Sequence, residues 1–147
     1  MRLTTWAAAI FFTAAVLAAT TGTNAASRYA GRYTVQRPGA DSMQLLILVL
    51  APNGRASLTT RYVDLERGIG TSVLPIAEVG SWRERGTTAE VRFTKFGLVR
   101  DGKMMEPKRD NNVITFALQQ RCLLRAVRYS KVTYGEAGLS MDKTGCR

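Results

Sequence analysis

The sequence predicts an all-β fold. After the first 25 residues, apolar side chains recur at every second position, the period of a half-buried strand, with little sign of a helical 3.6-residue period. Turn residues separate these segments at short intervals. The 147 residues, 46% of them hydrophobic, fit one domain, since no linker or internal repeat divides them. We therefore expect about eight or nine antiparallel strands forming either a closed or nearly closed barrel or a sandwich.

Residues 1–25 predict a cleaved signal peptide. Arg2 supplies a positive start, the apolar run 6–17 follows, and Thr23 and Ala25 suit positions three and one before a cut. The alternative is a membrane anchor, which needs roughly 20 continuous apolar residues. No cysteine stands directly after the run, so we expect no lipid anchor at this position. We expect a periplasmic or secreted chain, 26–147, without a membrane span.

The first half of this chain supplies four predicted strands. Tyr33 and Val35 alternate with polar residues, and the apolar stretch 43–50 leads into a Pro-Asn-Gly hairpin turn. The next segment, 55–62, alternates cleanly, which predicts one buried and one solvated face. A longer connection, 64–75, precedes a strand over 78–83.

The second half supplies the remaining strands. Alternation resumes over 89–94, and Asp101-Gly102 predicts another hairpin turn. A polar segment, 107–112, predicts a loop before the apolar strand 113–118. The last predicted pair, 121–129 and 139–143, is joined through residues 134–138.

Cys122 and Cys146 form an even pair in an exported chain, which predicts a disulfide. In a regular hairpin centred near Tyr134 the two residues would lie opposite each other. Such a bridge stabilises by roughly 3.5 kcal/mol in the chain-entropy treatment. The alternative is two free thiols that bind a soft metal.

The composition narrows the chemistry. There is no histidine, which excludes Ser-His-Asp and Cys-His catalysis and histidine-based metal sites. Acidic residues between 84 and 110 alternate with basic ones, which is typical of a solvated surface rather than of a catalytic carboxylate pair. We expect no enzyme, no cofactor and no metal.

A family resemblance covers nearly the whole mature chain. It is carried by Tyr-Ala-Gly-Arg-Tyr at 29–33, Pro-Gly-Ala-Asp-Ser at 38–42, the apolar stretch 46–50, and the segments 53–54, 58–62, 78–82 and 134–139. In this ordered succession the chain resembles the N-terminal domain of the copper-resistance envelope lipoprotein NlpE. The resemblance implies a small lipocalin-like β-barrel of the bacterial envelope, connected with envelope stress and copper handling.

The chain also departs from that family. It lacks both the lipid-anchor cysteine and the Cys-x-x-Cys near the first strands, so the best copper ligands are missing. Methionines are possible soft ligands, but adjacent Met104 and Met105 would point to opposite faces of a strand.

Two sets of residues are candidates for binding. Tyr33, Tyr62, Trp82 and Phe93 are the candidates for lining a ligand cavity, although inward aromatic residues in a small barrel more often fill its interior. The second set is basic. The formal charge is +10, and loss of Arg2 with the signal peptide leaves +9. The candidate anion contacts are Arg55, Arg61, Arg83, Arg85 and Arg92.

These observations predict an exported, non-enzymatic protein with a binding or sensing role in envelope homeostasis. The alternatives are a carrier of a small apolar ligand and a binder of anionic envelope polymers such as lipopolysaccharide. Another envelope protein is a further possible partner. Nucleic acid is not expected as a partner, because export separates the chain from it and the sequence shows no aromatic-basic motif of the kind that recognises bases.

Overall fold

The computed structural model describes residues 27–38, 42–64, 74–130 and 138–146. The predicted signal peptide lies outside these residues. Within them the chain forms nine strands and no helix. The strands are β1 (Gly31–Pro38), β2 (Ser42–Leu50), β3 (Arg55–Asp64), β4 (Ile76–Arg85), β5 (Thr88–Arg100), β6 (Lys103–Arg109), β7 (Val113–Gln120), β8 (Leu123–Tyr129) and β9 (Ser140–Lys143).

Eight of the strands form a closed antiparallel barrel. The order around it is β4-β3-β2-β1-β9-β8-β7-β5, and the pairing of β4 with β5 closes the ring. The all-β prediction is therefore confirmed, and the architecture is the barrel rather than the sandwich. Closure leaves no free edge among the eight strands.

The ninth strand, β6, lies outside the ring because β5 is long enough for two partners along one edge. Residues 88–92 of β5 pair with β7, whereas residues 95–100 pair with β6. The resulting β5–β6 hairpin, residues 95–109, extends past the start of β7. Its Asp101-Gly102 turn is as predicted, but residues 107–109 belong to β6 rather than to a loop.

A β-bulge separates the barrel part of β5 from the hairpin part. Val79 pairs with Lys95 and Gly80 pairs with Phe93, so Thr94 is the extra residue. Gly80 is required there, because a Cβ atom at this position would lie 1.9 Å from the carbonyl oxygen of Arg92. The bulge reverses the alternation of β5, and residues beyond it change faces.

The barrel contains one cluster of buried side chains. Its aromatic members have polar partners: the Tyr33 hydroxyl donates to the Tyr29 carbonyl at 2.8 Å, and the Trp82 indole N–H donates to the Ala51 carbonyl at 2.8 Å. The cluster consists of Tyr29, Tyr33, Leu46, Leu48, Leu50, Ala56, Leu58, Trp82, Ala89, Val91, Phe93, Ile114, Phe116, Leu124, Ala126, Leu139 and Met141.

Cys122 and Cys146 form a disulfide, with their Cα atoms 5.6 Å apart. The predicted pairing is confirmed, but the predicted hairpin register is wrong. The Lys143 N–H donates to the Cys122 carbonyl at 2.8 Å, so Lys143, not Cys146, lies opposite Cys122. Cys146 reaches its partner because the chain turns after β9, with Gly145 at φ 76°.

Candidate anion-binding face

Six exposed arginines lie on the outer surface of β3, β4, β5 and β8: Arg55, Arg83, Arg85, Arg92, Arg125 and Arg128. Cross-strand pairing places them in three neighbouring rows, and we call these six residues the basic face. The rows run Arg55–Ser81–Arg92, then Arg83–Glu90–Thr115–Arg128, then Arg85–Thr88–Ala117–Arg125.

Strand alternation explains why the basic face points to solvent. On β5, Val91 and Phe93 are fully buried in the core. Glu90 precedes Val91 and Arg92 lies between the two buried residues, so both face outward. On β8, Leu124 is buried and Arg125 is exposed for the same reason. The inward residues anchor each strand, and the outward residues form the charged surface.

The arginines of the basic face lower the pKa of the acidic residue among them, Glu90. It is the single carboxylate in the three rows, and Arg83 holds its Oε1 atom through Nη2 at 2.7 Å and Nε at 3.2 Å. The hydrogen bond from Arg83 is the main cause that lowers the pKa of Glu90, and the charges of Arg85 and Arg92 lower it further. A neighbouring guanidinium thus already neutralises the one acid in the rows.

An open cavity of about 550 Å³ adjoins the first row. Arg55 and Lys95 contribute cations to its wall, and Ser57, Ser81 and Thr94 contribute hydroxyl groups. Lys95 reaches this outer surface only because of the bulge at Thr94. Cations and hydroxyl donors around one open space are the groups that hydrogen-bond phosphate or carboxylate oxygens.

The predicted set of arginines is divided by the structure. Arg55, Arg83, Arg85 and Arg92 lie together, but Arg61 pairs with Leu45, six residues along β3 from Arg55. At about 3.3 Å per residue, that separation is roughly 20 Å.

Sequence reasoning missed two members of the basic face. Arg125 could have been found from its alternation with Leu124 and Ala126. Arg128 could not, because strict alternation from Ala126 would turn it inward. A bulge at Val127 restores its outward direction, and Arg128 pairs with Thr115.

In the part of the chain that the structure describes, three of the four candidate cavity residues belong to the buried core cluster. Tyr33 and Phe93 are fully buried and Trp82 is 8% exposed, and all three belong to that cluster. Tyr62 is partly exposed and lies outside that cluster. None of the four lines the cavity beside Arg55 or the second one, beside the β5–β6 hairpin.

Potential metal ligands are dispersed. Met141 is a core residue, and Met104 and Met105 pair with successive β5 residues, Val99 and Leu98. In the part of the chain that the structure describes, no three side chains among His, Cys, Asp and Glu are grouped to hold a metal ion. The same residues form no helix long and apolar enough to cross a bilayer.

No protein-family model, curated protein or solved structure matches the chain. The resemblance to NlpE therefore stays a prediction.

Proposed function

We propose that this chain is an exported, non-enzymatic binding protein of the bacterial envelope, whose basic face contacts an anionic polymer such as lipopolysaccharide. The observation that carries the proposal is the gathering of six exposed arginines in three adjacent rows, with Glu90 already paired to Arg83. A binding or sensing role in envelope homeostasis, as the NlpE resemblance implies, is compatible with such a surface.

The arrangement favours an extended, multiply charged ligand over a small anion. Each exposed arginine contributes only about 0.2–1 kcal/mol to an ion pair. A polymer that carries several phosphates can engage the rows simultaneously, and linked contacts raise affinity well above that of each alone. The cavity between Arg55 and Lys95 offers one site where a phosphate group can also meet hydroxyl donors.

Export is supported by the cysteines. A disulfide between Cys122 and Cys146 persists in the periplasm or outside the cell, whereas cytosolic reductants remove most such bonds. The absence of histidine from the whole chain supports a binding role rather than acid–base catalysis. The alternative of an apolar-ligand carrier has less support, because packed core residues such as Tyr33 and Phe93 occupy the barrel interior.

The test is lipopolysaccharide binding by a double variant, Arg55→Ala with Arg92→Ala. Arg61→Ala is the matched control, since Arg61 is an exposed arginine on the same strand as Arg55 but outside the rows. Losing two contacts of about 0.7 kcal/mol each weakens binding roughly 10-fold. We expect that loss in the double variant and less than a twofold change in the control.

Equal affinities of the double variant and the Arg61→Ala control would contradict the proposal. Absence of binding to lipopolysaccharide by the unaltered protein at low salt would also contradict it.

A further inference from the structure

The β5–β6 hairpin carries an exposed apolar surface. Leu98 pairs with Ile76 on one side and with Met105 on the other, so these side chains form a cross-strand row. Phe96, Leu98 and Met105 are 36%, 44% and 43% exposed. They line a cavity of about 350 Å³, together with Leu74, Ile76, Arg100 and Lys108, and we call it the hairpin groove.

The groove exists because the β5–β6 hairpin continues the inward face of β5 past the point where β7 begins. Phe93, before the bulge, faces the barrel interior and pairs with Gly80. Beyond the bulge, Phe96 pairs with Glu78, which is two residues from Gly80 and therefore on the same face of β4. Phe96 thus continues the inward face of β5. However, β7 begins at Val113, which pairs with Arg92. A strand face with core-like composition thus continues past the core.

The charge around the groove is positive. Within residues 95–109, five cations outnumber the acids Asp101 and Glu106, which gives a net charge of +3. Arg100, Lys108 and Glu106 lie on the groove itself. On the neighbouring strand β4, the carboxylate of Glu78, which pairs with Phe96, accepts a hydrogen bond from the buried Asn112 at 3.3 Å. Of the five cations, Arg100, Lys103 and Lys108 lie on the face of the groove, whereas Lys95 and Arg109 pair with each other and lie on the opposite, outer face.

This combination of an apolar surface and a cationic surround determines which occupant fits. A second copy of the chain would place one positive hairpin on another, which like-charge repulsion disfavours. Strand addition to the outer edge of β6 is disfavoured because Pro107 lacks an N–H and Glu106 has φ 42°. An anionic lipid surface satisfies both features, because it offers an apolar layer directly beneath negative headgroups.

We propose that the hairpin groove docks on an anionic lipid bilayer. Phe96, Leu98 and Met105 enter the boundary between headgroups and acyl chains. Arg100, Lys103 and Lys108 keep their charged ends at the lipid phosphates while their stems lie along the apolar layer. This surface is separate from the basic face, so the protein has one contact for a lipid bilayer and another for the anionic polymer of the proposed function.

The experiment is co-sedimentation of the full protein with vesicles of phosphatidylcholine alone or phosphatidylcholine mixed with phosphatidylglycerol. The test variant is Leu98→Ser with Met105→Ser. Both native side chains are exposed and lie outside the core cluster, so their replacement leaves the core intact. Val127→Ser is the control, because Val127 is an apolar residue 54% exposed on β8, away from the hairpin. A Phe96→Trp variant reports insertion by a blue shift and by quenching with brominated lipids.

We expect binding to the anionic vesicles at least 10-fold tighter than to the neutral ones. The double variant should lose about 10-fold in affinity, the control should bind as the unaltered protein does, and brominated lipids should quench the introduced tryptophan. Unchanged binding by the double variant, or equal binding to both vesicle types, would overturn the proposal. A dimer held by the groove, or a bound acidic peptide without vesicle binding, would overturn it as well.

Discussion

Arg83 and Glu90 face each other across β4 and β5, and the Arg83 Nη2 atom lies 2.7 Å from the Glu90 Oε1 atom. Both residues are outward members of the second row of the basic face. The pair is solvent-exposed enough to contribute little to folding. Its importance is electrostatic, because it leaves the remaining arginines of the three rows without a carboxylate among them.

The first prediction concerns the titration of Glu90. Its pKa should lie below the ordinary value of 4.5, mainly because Arg83 hydrogen-bonds to the charged carboxylate. Any stability from the pair is present above the ordinary pKa and is lost as pH falls through the lowered one. Carboxyl NMR titration measures the pKa of Glu90 in the unaltered protein and in the Arg83→Ala variant, and the variant should have the higher pKa. No change in that variant would contradict the assignment.

A second prediction follows from the burial of Tyr33. Desolvation, followed by the influence of Tyr29, raises the pKa of Tyr33 from 10.0 to about 12. The contribution of neutral Tyr33 is complete below about pH 10 and disappears as pH rises toward 12. Denaturant melts should therefore show a loss of stability across this interval that Tyr33→Phe reduces. The same variant loses about 1 kcal/mol at neutral pH, because its hydrogen bond to the Tyr29 carbonyl is absent.

The third prediction tests the disulfide. Replacing Cys122 and Cys146 together by serine should lower the free energy of unfolding by roughly 3.5 kcal/mol. Urea unfolding measures the loss, and the intact mass of the unaltered protein should be two hydrogens below that of its reduced form. Identical unfolding midpoints for the oxidised protein and the double serine variant would show that the bridge does not stabilise the barrel.

The fourth prediction concerns the bulge that positions Lys95. Gly80→Ala should destabilise the fold by about 1–3 kcal/mol, because the added Cβ would meet the Arg92 carbonyl oxygen at 1.9 Å. Backbone atoms cannot yield as a flexible side chain does. Ser81→Ala is a control on the neighbouring, exposed position. A Gly80→Ala protein as stable as this control would contradict the close approach of β4 and β5.

The bulges mark where prediction from sequence ends. Alternation alone predicts the buried faces of β3, β5 and β7, since apolar Leu58, Val91 and Phe116 each require burial. It fails at Thr94 and Val127, where one extra residue reverses the faces that follow. Lys95 and Arg128 join the outer surface for this reason, and a sequence pattern carries no signal of it.

The candidate site shows the same boundary. Arg55, Arg83, Arg85 and Arg92 are among the arginines that the sequence places on predicted strands, but the sequence cannot indicate which strands become neighbours. Arg61 has the outward parity of Arg55 and still lies outside the rows. For the cysteines the sequence predicts the pairing but not the geometry. The turn after β9 that brings Cys146 to Cys122 has no signal in the strand pattern.

The most direct measurement of the central claim is an arginine side-chain NMR titration of the protein with a delipidated, phosphorylated lipopolysaccharide oligosaccharide. The resonances of Arg55, Arg83, Arg85, Arg92, Arg125 and Arg128 should shift together and lose most of their shift as salt rises, while Arg61 stays unperturbed. Shifts confined to Arg61 and the β5–β6 hairpin, or no shifts at low salt, would contradict binding through the basic face.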